Sequence, residues 1–146
     1  MALGIKTFYL VNTPVVVASS VALVTTGLTS AIAANETQKI RAWIPLTVGA
    51  TGGIRAQLAV PAGGVIFQAT FTLFNTVAPS LTTGEQQVSA AFTNALANAG
   101  DHWLIIEATV VNGVTAGNVD VQVAQNTVDV LTLTIPRGGS MDVVIL

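Results

Sequence analysis

The sequence predicts an all-β domain with antiparallel strands arranged as a sandwich or barrel. Apolar and polar residues alternate in several short segments, as in strands that bury one face. Turn signals rich in Gly, Pro and Asn separate these segments at spacings of about 8–12 residues, which is typical of such folds. The chain has 146 residues and no cysteine, so we expect one domain whose core forms without disulfides.

The N-terminal residues 1–14 are predicted to form an extended arm, and residues 15–146 a single sandwich domain. The arm is largely apolar, and Lys6 is its one charged side chain. Such a segment is ordered when it adds to a neighbour's sheet or lies in a neighbour's groove. The alternative is that residues 6–12 form an edge strand of their own sandwich.

No charged side chain occurs between Lys6 and Glu36, and three interpretations of this stretch compete. A transmembrane helix needs about 20 mostly apolar residues. A signal peptide would fit cleavage after Ala33. Val and Thr dominate the stretch and favour strands. We therefore expect a pair of strands and no membrane segment, with the first strand over 15–24 and a break at Gly27.

Residues 37–48 form the clearest amphipathic strand. Apolar residues fall on one face, and Lys39, Arg41 and Trp43 on the other. Residues 54–60 alternate in the same way after the turn Thr51-Gly52-Gly53. The two segments are therefore predicted to form a hairpin.

The middle of the chain contains one further amphipathic strand and one buried strand. Residues 65–74 form the amphipathic strand, and residues 75–86 are predicted to be a polar loop. Helix and strand are equally compatible with the Ala-rich segment 85–99. Residues 102–111 are apolar on both faces, which predicts a fully buried central strand. The predicted inward face of 65–74 consists of Val65, Phe67, Ala69, Phe71 and Leu73.

Three last strands are expected over 119–124, 131–135 and 141–145. Turns at 126–129 and 136–139 separate them.

The low charge of the chain excludes several functions. Asp, Glu, Lys and Arg make up 8% of the residues, against about 25% in an average soluble domain. A net charge of −2 without basic clusters argues against nucleic-acid binding. The high apolar content argues against a disordered tail. So few charges leave much of the surface uncovered, and we expect other protein copies to cover part of it.

The sequence predicts no catalytic, cofactor or metal site. The sequence has no Gly-x-Ser-x-Gly motif that would supply a nucleophile beside the single histidine, His102. A structural or interface role is therefore expected for this histidine. Glu107 and Asp120 could face each other across neighbouring strands, most simply as part of a solvated or interface ion pair. Trp43 and Trp103 fit a subunit interface better than a sugar-stacking site. We expect no enzymatic activity.

The C-terminal part of the chain resembles a known family of phage proteins. The run 100–111 leads into Asn112-Gly113, a later strand ends in Ala124-Gln125-Asn126-Thr127, and Gly139-Ser140 begins the last apolar strand. Together with the turn at 33–36, these features resemble tailed-phage structural proteins with a tumour-necrosis-factor-like jelly roll. The resemblance covers residues 28–146.

This resemblance implies a homotrimer that decorates a phage head or belongs to a tail. The predicted function is that of a capsid decoration (cement) protein on the outer surface of the virion. It would bind the major capsid protein and stabilise its lattice. The predicted capsid contacts in the arm are Ile5, Phe8, Tyr9 and Leu10. The predicted trimer-interface residues are Phe71, Trp103 and Ile105.

Two other functions remain open at this point. The first is a trimeric tail-fibre or tail-tip domain that binds host-surface glycan through an exposed aromatic such as Trp43 in a loop-lined groove. The second is a secreted carbohydrate-binding module, which would be cleaved after Ala33.

Overall fold

Two antiparallel β-sheets pack face to face and form a β-sandwich. The computed structural model describes residues 4–49, 52–76, 80–86, 92–94 and 100–146, and for residues 5–10, 80–86 and 92–94 it describes the backbone alone. Within these ranges every helical or extended element is a strand, which confirms the all-β class. The strands are β1 (Ile5–Leu10), β2 (Val15–Val17), β3 (Val24–Ile32), β4 (Thr37–Val48), β5 (Ile54–Ala59), β6 (Val65–Asn75), β7 (Ser80–Gln86), β8 (Phe92–Asn94), β9 (Gly100–Val111), β10 (Gly117–Ala124), β11 (Leu133–Ile135) and β12 (Ser140–Ile145).

The larger sheet has the strand order β1-β12-β4-β9-β6-β7. The short strand β11 also pairs with β4, and β2 pairs with β11. The smaller sheet has the order β3-β10-β5-β8. Consecutive strands of the chain therefore often lie in different sheets.

The core lies between the two sheets, and among the described side chains it is mostly aliphatic, with Phe71 as the largest. In the larger sheet, Ala42 of β4, Ile106 of β9 and Phe71 of β6 lie side by side in register, and all three are fully buried. Leu28, Leu58 and Val121 contribute to the core from the smaller sheet. This burial holds the sandwich together.

The strand predicted over 37–48 is confirmed, but the predicted hairpin with the next strand is wrong. Strand β4 belongs to the larger sheet, whereas β5 pairs with β10 and β8 in the smaller sheet. The turn between them carries the chain across the sandwich, with Gly53 at a φ of 56°. The alternation of apolar and polar residues shows that a strand buries one face. It does not show which sheet the strand joins, because both sheets bury a face in the same core.

The predicted inward face of β6 is correct only in its second half. A β-bulge between Ile66 and Gln68 inserts an extra residue into the strand. As a result Ile66 is buried, while Val65 and Phe67 are exposed. Ala69, Phe71 and Leu73 face inward as predicted.

The charge-free stretch contains most of β1 and all of β2 and β3, and β2 and β3 lie in different sheets. The strand predicted over 15–24 is interrupted, because β2 ends at Val17 and β3 begins at Val24. Gly27 lies inside β3 with a φ of 83°, at an irregularity opposite Val121 where the register shifts. Among the described residues, no helix is long and apolar enough to cross a membrane.

One segment of the middle region differs from its prediction, and a second, left open between helix and strand, contains a short strand. Residues 80–86, predicted as a polar loop, form β7 on the edge of the larger sheet beside β6. Thr-rich edge strands have no apolar face, so alternation does not reveal them. Residues 92–94 form a short strand beside β5. The rest of the ambiguous segment 85–99, at 87–91 and 95–99, lies outside the described residues.

The N-terminal segment is part of the sandwich. The backbone of β1 pairs with β12, with Ile5 opposite Val144 and Leu10 opposite Ser140. This pairing corresponds to the edge-strand alternative of the sequence analysis. The side chains of the predicted capsid contacts Ile5, Phe8, Tyr9 and Leu10 lie outside the described parts of the structure.

Replacing Phe71 with Ala should destabilise the folded chain strongly. Removing a fully buried aromatic ring leaves a cavity, and such changes cost about 3–5 kcal/mol. Urea unfolding at fixed protein concentration measures the loss, with Thr72→Ala on the opposite face of β6 as control. An unchanged midpoint for Phe71→Ala would contradict its place in the core.

Candidate functional site

His102 is buried on the inner face of β9 and is 1% exposed. Its Nδ1 lies 2.8 Å from the carbonyl oxygen of Gly100. Because a carbonyl oxygen only accepts hydrogen bonds, Nδ1 is the donor of this bond, and Nε2 is buried with no hydrogen-bond partner among the described residues. The geometry fits a structural role for this residue.

The two carboxylates considered as a pair lie in different sheets. Glu107 of β9 contacts Arg41 of β4, with 2.9 Å between its Oε1 and the arginine Nε, and both side chains are more than half exposed. Asp120 of β10 accepts a hydrogen bond of 2.6 Å from the Thr29 hydroxyl in the smaller sheet. The pairing of Glu107 with Asp120 is therefore wrong. The described residues contain no cluster of three metal-ligating side chains.

The side of the larger sheet that faces away from the core is called the outer face. It consists of the outward side chains of β4, β9 and β6. Trp103 of β9 lies between its two cross-strand partners, Pro45 of β4 and Phe74 of β6. The neighbouring row places Trp43 beside Ile105. Directly opposed side chains on a sheet are about 4.5–5.5 Å apart at Cβ, so these five form one contiguous surface, the aromatic patch.

The aromatic patch is open to solvent in the single chain, so the prediction that residues 102–111 are buried on both faces is wrong. Trp103 is 41% exposed and Phe74 is 39% exposed. Trp43 is half-buried, and the guanidinium of Arg41 lies 4.6 Å from the centroid of its ring. Trp43 occupies the middle of a strand, which does not match the loop-lined groove that the glycan-binding alternative predicted for it.

Beside the aromatic patch the outer face becomes polar. A shallow hollow of about 240 Å³ is lined mainly by Lys39, Gln68, Thr70, Glu107 and Thr109. Small-molecule sites are usually larger, at about 300–1,000 Å³, and mostly apolar. The hollow therefore resembles the polar rim of an interface more than a ligand pocket.

Only two of the three predicted interface residues lie on this surface. Trp103 and Ile105 face outward and lie together in the aromatic patch. Phe71 faces the core and is fully buried, so its side chain has no surface for a partner. Sequence reasoning missed Pro45 and Phe74, because only the register of β4, β9 and β6 places them beside Trp103.

A second apolar surface lies at one end of the sandwich, where three loops meet. The loop 125–132 joins β10 to β11, the loop 18–23 joins β2 to β3, and the turn after β4 packs against them. Val130 is 87% exposed and Val128 is 58% exposed. We call four exposed apolar residues of these loops, Val21, Val128, Val130 and Leu131, the apolar ridge.

Buried polar groups hold the loop of the apolar ridge in place. The side-chain oxygen of Gln125 accepts hydrogen bonds from the backbone N–H groups of Ser20 and Asp129. Its side-chain nitrogen donates to the carbonyl oxygens of Asp129 and Leu131. The carboxylate of Asp129 accepts from the N–H of Leu131 at 3.0 Å. The loop is therefore ordered by contacts beneath it.

A groove of about 400 Å³ lies between the two sheets. It is lined by residues 11–15 and 25–27, none of which carries a titratable side chain. The groove offers apolar and hydroxyl contacts but no acid–base group.

Comparison of the chain with protein-family models, with curated protein sequences and with solved structures finds no match.

Replacing Gly49 with Ala should destabilise the end that carries the apolar ridge. A Cβ at this position would lie 2.6 Å from Leu131 Cβ and 2.9 Å from an Asp129 carboxylate oxygen. Overpacking of this kind costs about 1–3 kcal/mol. Thermal unfolding measures the loss, with Gly4→Ala as control because its Cβ would meet nothing within 4 Å. Equal stability of the two variants would mean that the loop lies elsewhere.

Proposed function

We propose that this chain is a structural virion protein, a homotrimeric capsid decoration protein on the outer surface of a tailed-phage head, with no enzymatic role. The observation that carries the proposal is the solvent-open aromatic patch on the outer face of a sandwich with 8% charged residues. Surfaces of this kind are typical of proteins that function in assemblies. The capsid assignment draws on the resemblance of residues 28–146 to phage jelly rolls.

The trimer is proposed to bury the aromatic patch. Transfer of apolar surface out of water contributes about 25 cal/mol per Å². Trp103 and Phe74 are large, and Arg41, Glu107 and Lys39, in the rows beyond Trp43 and Ile105, provide a polar rim. A closed ring of three copies would bury the same surface on every copy and then stop growing. We take the sandwich to be a jelly roll of the tumour-necrosis-factor-like kind.

On the capsid, the protein would act mechanically. Each trimer would bridge subunits of the major capsid protein and bind the assembled lattice better than the separated subunits. Binding to one state stabilises that state by mass action. The predicted contacts Ile5, Phe8, Tyr9 and Leu10 belong to β1, an edge strand of the larger sheet. An edge strand has one free row of backbone groups that a neighbouring chain could pair with.

The second candidate is a trimeric tail-fibre or tail-tip domain that binds host glycan. The exposed indole of Trp103 favours it, since aromatic faces stack on sugar rings. In that case Trp103→Ala would abolish cell binding and leave the oligomeric state unchanged.

The copy number of the chain in purified virions tests the proposed function. A decoration protein should be present in numbers comparable to the major capsid protein. A few copies per virion would favour the tail domain. Absence from virions would exclude both phage functions and favour the secreted module.

Replacing Trp103 with Asp should dissociate the proposed trimer. A carboxylate in the middle of a buried apolar interface loses its hydration without gaining a partner. Sedimentation velocity should show monomers for Trp103→Asp and trimers for the unchanged protein. Val114→Asp, on an exposed loop valine far from the aromatic patch, is the control and should remain trimeric. A trimeric Trp103→Asp variant would place the interface elsewhere.

A further inference from the structure

We propose that Asn112 is a latent covalent-modification site: the folded protein protects its side-chain amide, whereas the unfolded chain loses that amide by deamidation and then fails to refold. The site lies at the end of the sandwich where β9 ends and β10 begins, and the proposal depends on neither the trimer nor the capsid. Asn112-Gly113 is the one Asn-Gly pair in the chain. The backbone nitrogen of such a pair is unhindered, because glycine has no side chain.

Deamidation of an Asn-Gly pair needs no enzyme, and asparagine is among the residues that limit the lifetime of proteins. The backbone nitrogen of Gly113 loses its proton and attacks Cγ of Asn112, and the new C–N bond closes a five-membered succinimide ring. The Cγ–Nδ2 bond breaks, and Nδ2 takes up a proton and leaves as ammonia. Water then opens the ring to aspartate or isoaspartate. The net change is hydrolysis of the amide, so water is the co-reactant.

The first argument for protection is that hydrogen bonds hold the leaving group. The side chain of Asn112 is buried, and its Nδ2 donates to the carbonyl oxygens of Ala33 and Thr115, both at 2.8 Å. The backbone N–H of Asn112 donates to the Glu36 carbonyl oxygen, also at 2.8 Å. Loss of Nδ2 inside the fold would leave two carbonyl oxygens without this donor. The reaction is therefore opposed by both bonds.

The second argument is that the attacking residue is held on both sides. The carbonyl oxygen of Gly113 accepts a hydrogen bond of 2.7 Å from the backbone N–H of Asn35. Gly113 also packs so tightly on the turn at 61–64 that a Cβ on it would lie 2.7 Å from the Gly63 carbonyl oxygen. Closing the succinimide ring requires the peptide groups around Gly113 to reorient. A flexible chain reorients freely, whereas these contacts oppose it.

The third argument concerns the oxygen on which negative charge develops. Attack on Cγ converts Oδ1 of Asn112 into an oxyanion, which needs hydrogen-bond donors. Oδ1 is buried and has no hydrogen-bond partner among the described residues. It lies against the turn at 61–64, where a Cβ on Gly64 would be 3.2 Å away. Water stabilises the oxyanion in an unfolded chain, and burial removes that water in the folded protein.

The product of the reaction does not fit the place of Asn112. An aspartate there would direct a carboxylate toward the carbonyl oxygens of Ala33 and Thr115, and all three groups are acceptors. A buried charge without hydrogen-bond donors is strongly unfavourable. Isoaspartate would in addition lengthen the backbone by one methylene group. Because Asn112 joins the turns at 33–36 and 61–64, either product would separate them.

The first experiment compares deamidation in the folded and the unfolded chain. The protein is kept at mildly alkaline pH, once in buffer and once in concentrated urea, and mass spectrometry of proteolytic peptides measures the conversion of Asn112. Conversion should be at least about tenfold faster in urea, because the folded protein reacts only through a rarely populated open state. Asn118 is exposed and precedes a valine, so it is the internal control and should stay largely unconverted in both samples.

The second experiment measures refolding after dilution of the urea. A chain unfolded for the same time at mildly acidic pH keeps its amide, because the Gly113 nitrogen keeps its proton, and it should refold fully. A chain unfolded at alkaline pH should lose refolding yield in proportion to the conversion of Asn112. Asn112→Asp reproduces one product and should melt at a lower temperature or fail to fold, whereas Asn118→Asp should melt like the unchanged protein.

Each part of the proposal has an outcome that overturns it. Equal conversion of Asn112 in buffer and in urea would overturn protection by the fold. Absence of conversion in urea would remove Asn112 as a modification site. Full refolding of chains that have converted at Asn112, or an unchanged melting temperature for Asn112→Asp, would overturn the claim that the modified chain fails to refold.

Discussion

The structure depends on the packing of three central strands of the larger sheet, β4, β9 and β6, against the smaller sheet. Ala42, Ile106 and Phe71 lie in register across these strands and are completely buried. In a pleated strand, successive side chains point to opposite faces. When one set of alternating side chains is buried in the core, the other set must lie on the outer face. This alternation brings the residues of the aromatic patch together.

Because the chain has few charged side chains, its surface is covered mainly by uncharged residues. Polar coverage comes largely from Thr, Asn, Gln and Ser, and the Arg41–Glu107 contact is a solvent-exposed pair of the kind that contributes little to stability. The two most prominent exposed features are apolar, the aromatic patch on the outer face and the apolar ridge at one end. Assembly through such surfaces would rely on apolar burial, with polar rims providing orientation.

Polar groups inside the protein are used to organise loops. Gln125 is almost fully buried, and both polar atoms of its side chain hydrogen-bond to backbone groups of adjacent loops. Asn112 has a comparable position at the opposite end, where its side chain donates to the carbonyl oxygens of Ala33 and Thr115. A buried amide is costly unless it is hydrogen-bonded, so these two side chains fix the loops that they contact.

The sequence by itself determined the all-β class, the bounds of β4, a strand over 119–124 and the turn at 33–36, because alternation and turn residues are local properties of the chain. Only the tertiary structure decided which sheet each strand joins, and hence that β4 and β5 are not a hairpin. It also decided the bulge that turns Phe67 outward, and the register that places Phe74 and Pro45 beside Trp103. Strand partners lie far apart in sequence and compete for the same core, so alternation cannot choose among them.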